Sequence, residues 1–490
     1  MRKAVLPAVI IITSILLIVR IFYLQVIDEN LKLQSENNAI KKVFDFPERG
    51  YIYDRNGKLL VANQPSYDIM VVPREIKNID TTEFCNLLHI TKEYFIKKIE
   101  KANVYSPRLP SVFLSQLNKA EYAAFQEKER KFEGYAIGKA GITTGEICFN
   151  TGMTGYQEIF TDPSYAGQII TMTNAHIGNY GAASNENQSR KVQINGLIVK
   201  NFSEFFSRKL ATNSLQDFLE ENGIVGISNI DTRALVRHIR SKGAMNCIIS
   251  STEMDEHKLK GLLQQVPSMD GCELASAVST PESYYAGDPN APFKVAVMDY
   301  GCKQNILDSL AARGCYMKVF PARTEFETVQ AWNPDGYFLS NGPGDPASMD
   351  YAIETSKKIM ASGKAVFGIC LGHQLLALAE GMQTEKLKYG HRGINHPVLN
   401  VNTGLGEITS QNHGFGVVRS SIESFESEVQ ASHINLNDHS VEGLKWLNKP
   451  VFSVQYHPES SPGPFDSRYL FDEFVQLIAS LSNKEAAVSV

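Results

Sequence analysis

The sequence F-G-I-C-L-G-H-Q at residues 367–374 predicts a buried strand that turns directly into a helix, with a cysteine at the turn. Residues 364–369 are mostly apolar and have the length of a strand, and residues 371–380 have helical spacing up to Gly381, a typical C-terminal cap. The glycines two positions before and after Cys370 let neighbouring backbone approach a cysteine held in a strained turn. The pattern is that of a nucleophile elbow.

A second motif, Y-H-P-E at residues 456–459, offers a base for this cysteine. The unpaired N–H groups and the dipole of a helix N-terminus favour a thiolate, and the backbone N–H of Leu371 points to where an oxyanion would form. An extended backbone would place His457 and Glu459 on one side, so that His457 takes the thiol proton while Glu459 fixes its tautomer. The alternative is that Cys370 is a small core residue, as most cysteines after an apolar strand are; the glycines and the later H-P-E argue against it.

Length and composition limit the class of protein. A chain of 490 residues is expected to hold about three domains. A net charge of −5, without a basic cluster, gives no reason to expect a nucleic-acid partner. The seven cysteines are scattered and form no C-x-x-C pair, which predicts neither a zinc site nor a disulfide framework and suits a reducing compartment. The chain contains neither a Walker A nor a G-x-G-x-x-G sequence.

The N-terminus has a different character. Residues 4–26 are apolar except for a few polar positions and Arg20, and this length is enough to span a bilayer. We therefore predict a transmembrane anchor at residues 1–27. A cleaved signal peptide is the alternative, weakened because no A-x-A-like site follows. Arg2 and Lys3 predict that the N-terminus lies in the cytosol and the remainder outside it.

After the anchor comes the string R-G-Y-I-Y-D-R-N-G-K-L-L-V-A-N at residues 49–63. Its N-G at residues 56–57 predicts a hairpin turn between strands at 51–53 and 59–61, and an ordinary surface hairpin is one interpretation. Together with the anchor, the string resembles the juxtamembrane start of an elongation-type class B penicillin-binding protein. The resemblance implies a partial pedestal at residues 28–130 without a transpeptidase, because that family's S-x-x-K and K-T-G motifs are absent.

The chain changes again at K-F-E-G, residues 131–134. Beyond a linker at residues 279–292 that carries proline and glycine, predicted strands and helices alternate up to N-G-P-G-D-P at residues 341–346. This alternation predicts an α/β fold with a doubly wound, mostly parallel sheet and a site at the carboxyl ends of its strands. The predicted strands are 294–298, 316–320 and 336–340, and the predicted helix between the first two is 304–313.

The elbow, N-G-P-G-D-P and H-P-E resemble the motifs of class I glutamine amidotransferases. T-G-Y-Q-E-I-F-T-D-P-S-Y at residues 154–165 and S-S-P-G-P at residues 460–464 narrow the resemblance to the small subunit of glutamine-hydrolysing carbamoyl-phosphate synthase, over about residues 131–483. The resemblance implies a smaller mixed α/β domain at residues 131–278, an amidotransferase domain at residues 293–483 and a tail at 484–490.

The family's active-site residues can be assigned to this chain at the positions where its sequence matches the family's motifs. The resemblance implies that Cys370 attacks the side-chain amide of glutamine and that His457 and Glu459 complete its triad. His373 and His413 are expected to be structural. For Asn412 and Phe415, an ordinary loop amide and a core ring are the alternatives. The implied oxyanion-hole and glutamine-binding residues are Ser164, Gly342, Gly344, Leu371, Gln374, Asn412, Gly414 and Phe415.

The resemblance also implies a partner. Ammonia would pass to a large subunit that holds ATP and its metal, so no cofactor or metal is expected on this chain, and the product would feed arginine and pyrimidine synthesis. The catalytic part would be cytoplasmic, which conflicts with the predicted anchor. The alternative function is a membrane-anchored, non-catalytic cell-wall scaffold whose amidotransferase part is inert.

The sequence before F-E-G, residues 132–134, differs from that of the small-subunit family. The first strand of the family's opening hairpin is absent, and residues 123–130 predict a helix in its place. We therefore expect an exposed sheet edge and reduced stability of the domain at residues 131–278. A gene fusion, or an error of sequence assembly, at residues 131–134 would explain the missing strand. It would also explain why a membrane anchor precedes a catalytic part that is expected in the cytoplasm.

Overall fold

The computed structural model describes residues 135–482 continuously; the residues described before them are 52–53, 59–61, 67–71, 73, 81, 84–85, 88, 90–106 and 111–117. The chain divides into two compact units, Met1–Lys128 and Glu129–Val490. The anchor predicted at residues 1–27, the helix predicted at 123–130 and the tail at 484–490 lie outside the described residues. No helix in the described parts of the chain is long and apolar enough to cross a membrane.

In the first unit the predicted hairpin strands are present. Strands β1 (Ile52–Tyr53) and β2 (Leu59–Val61) pair antiparallel, and the turn between them lies outside the described residues. Strand β3 (Tyr67–Val71) pairs antiparallel with β4 (Ser111–Leu117), and helix α1 (Lys92–Tyr105) lies between them in sequence.

Helix α1 is fixed at its start by a cap and along its length by aromatic packing. Thr91 caps it, because the threonine hydroxyl accepts a hydrogen bond from the backbone N–H of Tyr94 at 3.2 Å. The rings of Phe84, Phe95 and Phe113 pack with centroids 5.5–5.8 Å apart. These rings form a small apolar cluster between α1 and β4.

The second unit begins with a six-stranded mixed sheet in the order β12-β6-β7-β9-β11-β5. Its four central strands β6, β7, β9 and β11 are parallel, whereas the edge strands β5 and β12 pair antiparallel. Strands β8 and β10 form a separate parallel pair. The strands are β5 (Tyr135–Gly138), β6 (Ile142–Asn150), β7 (Gln168–Met172), β8 (His176–Ile177), β9 (Gly196–Ile198), β10 (Asn201–Phe202), β11 (Val225–Ser228) and β12 (Met245–Ser250). The helices are α2 (Tyr156–Thr161), α3 (Leu215–Glu221), α4 (Thr232–Lys242), α5 (Glu256–Leu263) and α6 (Ala275–Val278).

The remainder of the unit is built on a ten-stranded sheet in the order β13-β15-β14-β16-β17-β22-β21-β20-β18-β19. Its strands are β13 (Tyr284–Ala286), β14 (Phe293–Asp299), β15 (Cys315–Pro321), β16 (Gly336–Leu339), β17 (Ala365–Ile369), β18 (Thr384–Asn400), β19 (Gly406–Val417), β20 (Val429–Asn435), β21 (Val441–Trp446) and β22 (Val451–Val454). Its helices are α7 (Gln304–Ala311), α8 (Phe326–Ala331), α9 (Asp350–Ala361), α10 (Leu371–Glu380), α11 (Arg419–Ile422) and α12 (Tyr469–Ser482).

The doubly wound arrangement is confirmed by two apolar layers, one on each face of this sheet. Alternate residues of one strand enter different layers, because side chains alternate across a strand. Met298 packs with residues of α9 and α10, whereas Val297 packs with residues of α7 and α12. Helices therefore cover both faces of the parallel half of the sheet.

The prediction of a mostly parallel sheet is wrong. Only β14, β15, β16, β17 and β22 run parallel to one another, and the other five strands join through antiparallel pairs. The long hairpin of β18 and β19 was not predicted, because its glycine, histidine and asparagine residues hide the alternation of a strand. The predicted linker at residues 279–292 also contributes to the sheet, since it contains β13.

Candidate active site

The cysteine elbow has the predicted geometry. Cys370 stands between β17 and α10 with φ 53° and ψ −102°, a strained conformation for a residue that is not glycine. A Cβ atom on Gly372 would overlap the carbonyl oxygen of Leu339, and one on Gly368 would lie 2.6 Å from a methyl group of Leu376. Both glycines are therefore required for α10 to pack closely on the sheet. Helix α10 ends at Gly381 (φ 104°), as predicted.

Cys370 and His457 are held at the carboxyl ends of neighbouring parallel strands, β17 and β22. The backbone N–H of Cys370 donates to the carbonyl oxygen of Val454, the last residue of β22. The Cys370 thiol lies 3.6 Å from the carbonyl oxygen of Asn412. The Nε2 atom of His457 is buried and has no hydrogen-bond partner, which leaves it available to the thiol.

The imidazole of His457 is oriented by Glu459, as predicted. His457 Nδ1 lies 2.7 Å from Glu459 Oε1, so the ring holds its proton at Nδ1 toward the carboxylate. The extended backbone predicted for H-P-E is wrong, because β22 ends at Val454 and residues 458–459 form a turn. The turn is closed by a hydrogen bond from the backbone N–H of Ser460 to the carbonyl oxygen of His457 at 3.2 Å. This turn places the side chains of His457 and Glu459 within hydrogen-bond distance, which is what the predicted extended backbone was expected to do.

Sequence reasoning missed Lys303. Its Nζ atom lies 2.9 Å from Glu459 Oε1, and the two side chains are only 2% and 0% exposed. Lys303 immediately precedes α7, and its backbone N–H donates to the side chain of Asn341. Asn305 in the first turn of α7 donates to the backbone carbonyl of Glu459 at 2.7 Å. A sequence signal existed, since Lys303 follows the carboxyl end of β14, where a site in this fold is expected.

The three charged groups set one another's protonation. Burial disfavours an imidazolium at His457, but the neighbouring Glu459 carboxylate and contact with Cys370 outweigh it and raise the pKa of His457 to about 10. Burial also disfavours the carboxylate, but Lys303 and His457 outweigh it and lower the pKa of Glu459 to about 2. His457 is therefore protonated and Glu459 ionised near neutral pH.

One cleft collects the predicted glutamine-binding residues around Cys370. Leu371 is the exception, because its side chain is in the core while its backbone begins α10, where the N–H has no partner within the helix. His457 and Glu459 do not line the cleft. The predicted residues that do line it are Ser164, Gly342, Gly344, Gln374, Asn412, Gly414 and Phe415.

Asp162, a second residue that sequence reasoning missed, connects Ser164 to the amidotransferase residues. Its Oδ1 atom accepts from the backbone N–H of Ser164 at 2.9 Å, and its Oδ2 atom accepts from the side-chain amide of Asn412 at 3.0 Å. Asn341 completes the network by donating to the hydroxyl of Ser164 at 2.9 Å. The amide nitrogen of Asn412 is thus already bonded, so this network positions the cleft wall.

Gln374 has a similar bonding pattern. Its amide nitrogen donates to the carbonyl oxygen of Phe415 at 2.8 Å and to the side chain of Gln455 at 3.0 Å. It therefore ties the first turn of α10 to β19. Its remaining polar atom, the amide oxygen, is the one available to a ligand.

The G-P-G turn opposite the elbow requires its glycines. A Cβ atom on Gly342 would overlap the carbonyl oxygen of Tyr300, and Gly344 has a φ of 96°. The turn therefore approaches closely to the loop after β14, and the same cleft receives the G-P-G turn and Cys370.

His373 and His413 both make structural contacts. His373 Nδ1 lies 2.9 Å from the hydroxyl of Ser453, and burial lowers the pKa of His373 to about 3. His413 lines the cleft, but its two ring nitrogens contact the carbonyl of Phe415 and the side chain of Gln411.

One group among the described residues has the spacing of a metal site. His391, His413 and Glu442 bring one ligand atom each within 4.8 Å of one another. His391 also lies 2.7 Å from the carboxylate of Asp438 and 3.4 Å from that of Glu442. Burial disfavours its charge, but the two carboxylates outweigh it and raise the pKa of His391 to about 9. An imidazolium thus already supplies the positive charge that a metal would bring.

The fold and the site define a class I glutamine amidotransferase. The family described as "Glutamine amidotransferase class-I" matches residues 296–477, and the family described as "Carbamoyl-phosphate synthase small chain, CPSase domain" matches residues 125–249. A third family, "Penicillin-binding Protein dimerisation domain", matches residues 45–140.

Whole-chain relatives identify the family. The carbamoyl phosphate synthase small chain of Chlorobaculum tepidum is 50% identical over 354 residues, which cover 72% of this chain and 96% of the relative. The small chain of Syntrophotalea carbinolica is 49% identical, with 71% and 95% covered, and that of Vibrio vulnificus is 46% identical, with 71% and 95% covered. The chain belongs to the carbamoyl phosphate synthase small chain family.

Proposed function

We propose that this chain is the glutaminase subunit of a carbamoyl phosphate synthase, which hydrolyses glutamine and delivers ammonia to a large subunit. One observation carries the proposal: Cys370 stands on a strained elbow beside a histidine whose Nδ1 is held by Glu459 and whose Nε2 has no partner. This is the geometry of nucleophile, base and orienting group that acyl transfer needs.

The first half of the reaction uses the proton on His457. The thiol of Cys370 gives its proton to Nε2 of His457, the resulting thiolate attacks the side-chain amide carbon of glutamine, and the imidazolium donates that proton to the amide nitrogen. The C–N bond breaks, ammonia leaves and a γ-glutamyl thioester remains on Cys370. The raised pKa of His457 suits this step, because the proton is already in place at neutral pH.

The second half returns the enzyme to its starting state. Neutral His457 accepts a proton from water, the resulting hydroxide attacks the thioester, and the thiolate leaves with release of glutamate. Glu459 stabilises the imidazolium that forms again, and Lys303 keeps Glu459 ionised. Throughout, the backbone N–H groups of Leu371 and of the G-P-G turn are the proposed donors to the oxyanion.

Glutamine would bind in the cleft lined by the seven predicted residues, with Ser164 supplied by the preceding domain. Asp162 and Asn341 fix Ser164 against the amidotransferase domain, so the binding site is complete only when both domains pack together. This dependence supports a role for the domain at residues 131–278 in substrate binding.

Glutamate release by the purified full-length chain tests the proposal. We expect the wild type, with a large subunit present, to release glutamate and ammonia in equal amounts. Cys370→Ser is expected to lower the rate by more than about 1,000-fold, since a hydroxyl in that position is a far weaker nucleophile. A folded wild type that releases no glutamate would favour the alternative of an inert amidotransferase on a membrane-anchored scaffold.

For the first unit we propose a fragment of a class B penicillin-binding protein with an N-terminal anchor, joined to the small chain near residues 131–134. The string at residues 49–63 and the family match at residues 45–140 support the first part of this proposal. We place the catalytic unit in the cytosol, because its six cysteines are free thiols and its proposed partner uses ATP. Independent sequencing of the DNA across residues 131–134 tests the join, and a clean continuous reading frame would exclude an assembly artefact.

A further inference from the structure

A second cavity, separate from the cleft that holds Cys370, lies between the domain at residues 131–278 and the amidotransferase domain. Its volume of about 440 Å³ is in the range of small-molecule sites in proteins. One wall comes from the loop at residues 187–193 of the preceding domain. The other wall comes from residues 277–284 and from the segment at residues 299–307, where β14 leads into α7. Of the lining residues that the structure describes, none also lines the Cys370 cleft, so the triad does not account for this cavity.

The charged groups of this cavity favour an anion. Its described lining residues include two cations, Arg190 and Lys191, and one carboxylate, Asp299. Asp299 is buried and bonded by the surrounding loops, because its two oxygens accept hydrogen bonds from three backbone N–H groups at 2.7–2.9 Å. Arg190 and Lys191 are exposed, so both can turn toward a ligand at the mouth of the cavity. The cavity therefore offers a pair of cations that suits a dianion.

Beside the cations the cavity has an aromatic and apolar wall. The guanidinium of Arg190 lies over the ring of Tyr284, 5.7 Å from its centroid. Val278 and Leu307 extend this wall with aliphatic side chains. A phosphate group held by the two cations would fill only a small part of the cavity. The remaining space and the apolar wall therefore fit an organic phosphate better than an inorganic ion.

The cavity adjoins the segment that forms one wall of the Cys370 cleft. Pro163 lines the cavity and lies between Asp162 and Ser164 in sequence. Asp162 holds both the backbone N–H of Ser164 and the side chain of Asn412. A ligand in the cavity would therefore contact the residue between the two that complete the cleft.

The cavity also adjoins the residues that hold Glu459. Gln188 lines the cavity and caps α7, because its carbonyl oxygen accepts from the backbone N–H of Gln304 at 2.8 Å and its side-chain oxygen accepts from that of Asn305 at 3.2 Å. Lys303, the residue before α7, supplies no side-chain cap of its own. Lys303 and Asn305 both bond to Glu459. The start of α7 therefore connects the cavity to the triad.

We propose that this cavity binds a small organic phosphate and that its occupation lowers the KM for glutamine. The phosphate would lie on Arg190 and Lys191, and the organic part on Tyr284. Because the walls belong to two domains, a bound ligand favours the arrangement in which the domains pack together and Ser164 completes the cleft. The effect on KM rests on the proposed function, whereas the binding itself does not.

Phenyl phosphate is the probe for this site, and inorganic phosphate is the matched ion that lacks the organic part. Calorimetric titration of the full-length chain measures the binding of each. We expect phenyl phosphate to bind with a Kd below about 1 mM. We expect inorganic phosphate to bind at least about tenfold more weakly, because it makes no contact with the apolar wall.

Two double variants control the titration. Arg190→Met/Lys191→Met removes both cations of the cavity and is expected to weaken the binding of phenyl phosphate at least about tenfold. Lys200→Met/Lys209→Met removes the same charge from exposed positions outside the cavity, and we expect it to change the Kd by less than about twofold. All four side chains are exposed, so both variants are expected to fold, and thermal unfolding checks this.

Steady-state hydrolysis of glutamine, with a large subunit present, measures the effect on KM. Saturating phenyl phosphate is expected to lower the KM of the wild type about threefold and to leave that of Arg190→Met/Lys191→Met unchanged. An equal effect on both would place the responsible site elsewhere and overturn the inference.

The other outcomes separate this inference from the proposed function. A wild type that does not bind phenyl phosphate, or equal binding by the two double variants, would overturn the site. Binding that depends on Arg190 and Lys191 without a change in KM would support the site and overturn its effect on catalysis. A wild type that binds phenyl phosphate but hydrolyses no glutamine would contradict the proposed function, together with the effect on KM, while supporting the site.

Discussion

Among the described residues, Glu459 forms ion pairs with Lys303 and His457, and substitution of Lys303 by methionine removes the first of these. The Lys303 and Glu459 side chains are 2% and 0% exposed, and their charged atoms are 2.9 Å apart. At an effective dielectric constant of about 20, two unit charges at this distance attract each other by roughly 6 kcal/mol. The methionine side chain preserves most of the packing volume, so the loss of this attraction dominates the effect.

The expected cost is smaller than the gross attraction, because Lys303 no longer has to be desolvated. Removing one member of a buried ion pair typically costs about 3–5 kcal/mol, since the other charge remains buried. For a domain of this size, such a loss lowers the Tm by about 6–20 °C. The matched control is Lys358→Met, whose pair with Glu327 has a similar length of 2.7 Å but is about half exposed. We expect that substitution to leave the Tm nearly unchanged, because solvent screens an exposed ion pair.

Thermal unfolding of the full-length chain, followed by near-ultraviolet circular dichroism, measures both variants. The double variant Lys303→Met/Glu459→Leu removes both charges, so it is expected to regain much of the Tm while remaining inactive. A double variant no more stable than Lys303→Met would refute the reasoning, because the loss would then come from packing and not from an uncompensated carboxylate.

The effect of Lys303→Met also has a defined pH dependence. The folded-state pKa of Glu459 is lowered to about 2, below its ordinary value of about 4.3, so ionised Glu459 stabilises the fold above the ordinary value. This stability is lost as pH falls through the folded-state pKa. The difference in Tm between wild type and Lys303→Met is therefore expected to be largest at pH 7 and to become smaller as the pH falls toward 2. A difference that does not change with pH would contradict the assignment.

Two further predictions concern the domain at residues 131–278. Asp162→Asn replaces one of the two acceptor oxygens by an amide donor, so either the backbone N–H of Ser164 or the side-chain amide of Asn412 loses its acceptor. We expect the KM for glutamine to rise about tenfold at nearly constant kcat; an unchanged KM in a steady-state assay would show that the network does not position the cleft. Adding the family's first strand before residue 131 should cover an edge near β5 and raise the unfolding temperature of this domain, and equal thermal unfolding of the two chains would exclude that effect.

The elbow and its helix could be predicted because the information is local. A short apolar strand, flanking glycines and a C-terminal glycine act within about fifteen residues, and each has a backbone requirement that the structure shows. The pairing of His457 with Glu459 was also local, although the backbone between them is a turn and not a strand. Local chemistry was therefore enough to predict the proposed nucleophile and the two residues proposed to serve it.

The residues that support this triad could not be predicted, because they approach it only through the tertiary fold. Lys303 is more than 150 positions from Glu459 in sequence and reaches it because β14 and β22 end at the same edge of one sheet. Asp162 comes from the preceding domain, where it directly follows α2. The position of Lys303 after a strand end places it near the expected site, but a lone lysine or aspartate carries no sequence pattern that indicates which residue it pairs with.

The central claim is that Cys370 forms a covalent intermediate with glutamine. Rapid acid quenching of the full-length chain during turnover of glutamine, followed by peptide mapping with mass spectrometry, measures it directly. We expect a γ-glutamyl adduct on the peptide that contains Cys370, absent without glutamine and absent in Cys370→Ser. Continued glutamine hydrolysis with no adduct on Cys370, or with an adduct on a different cysteine, would contradict it.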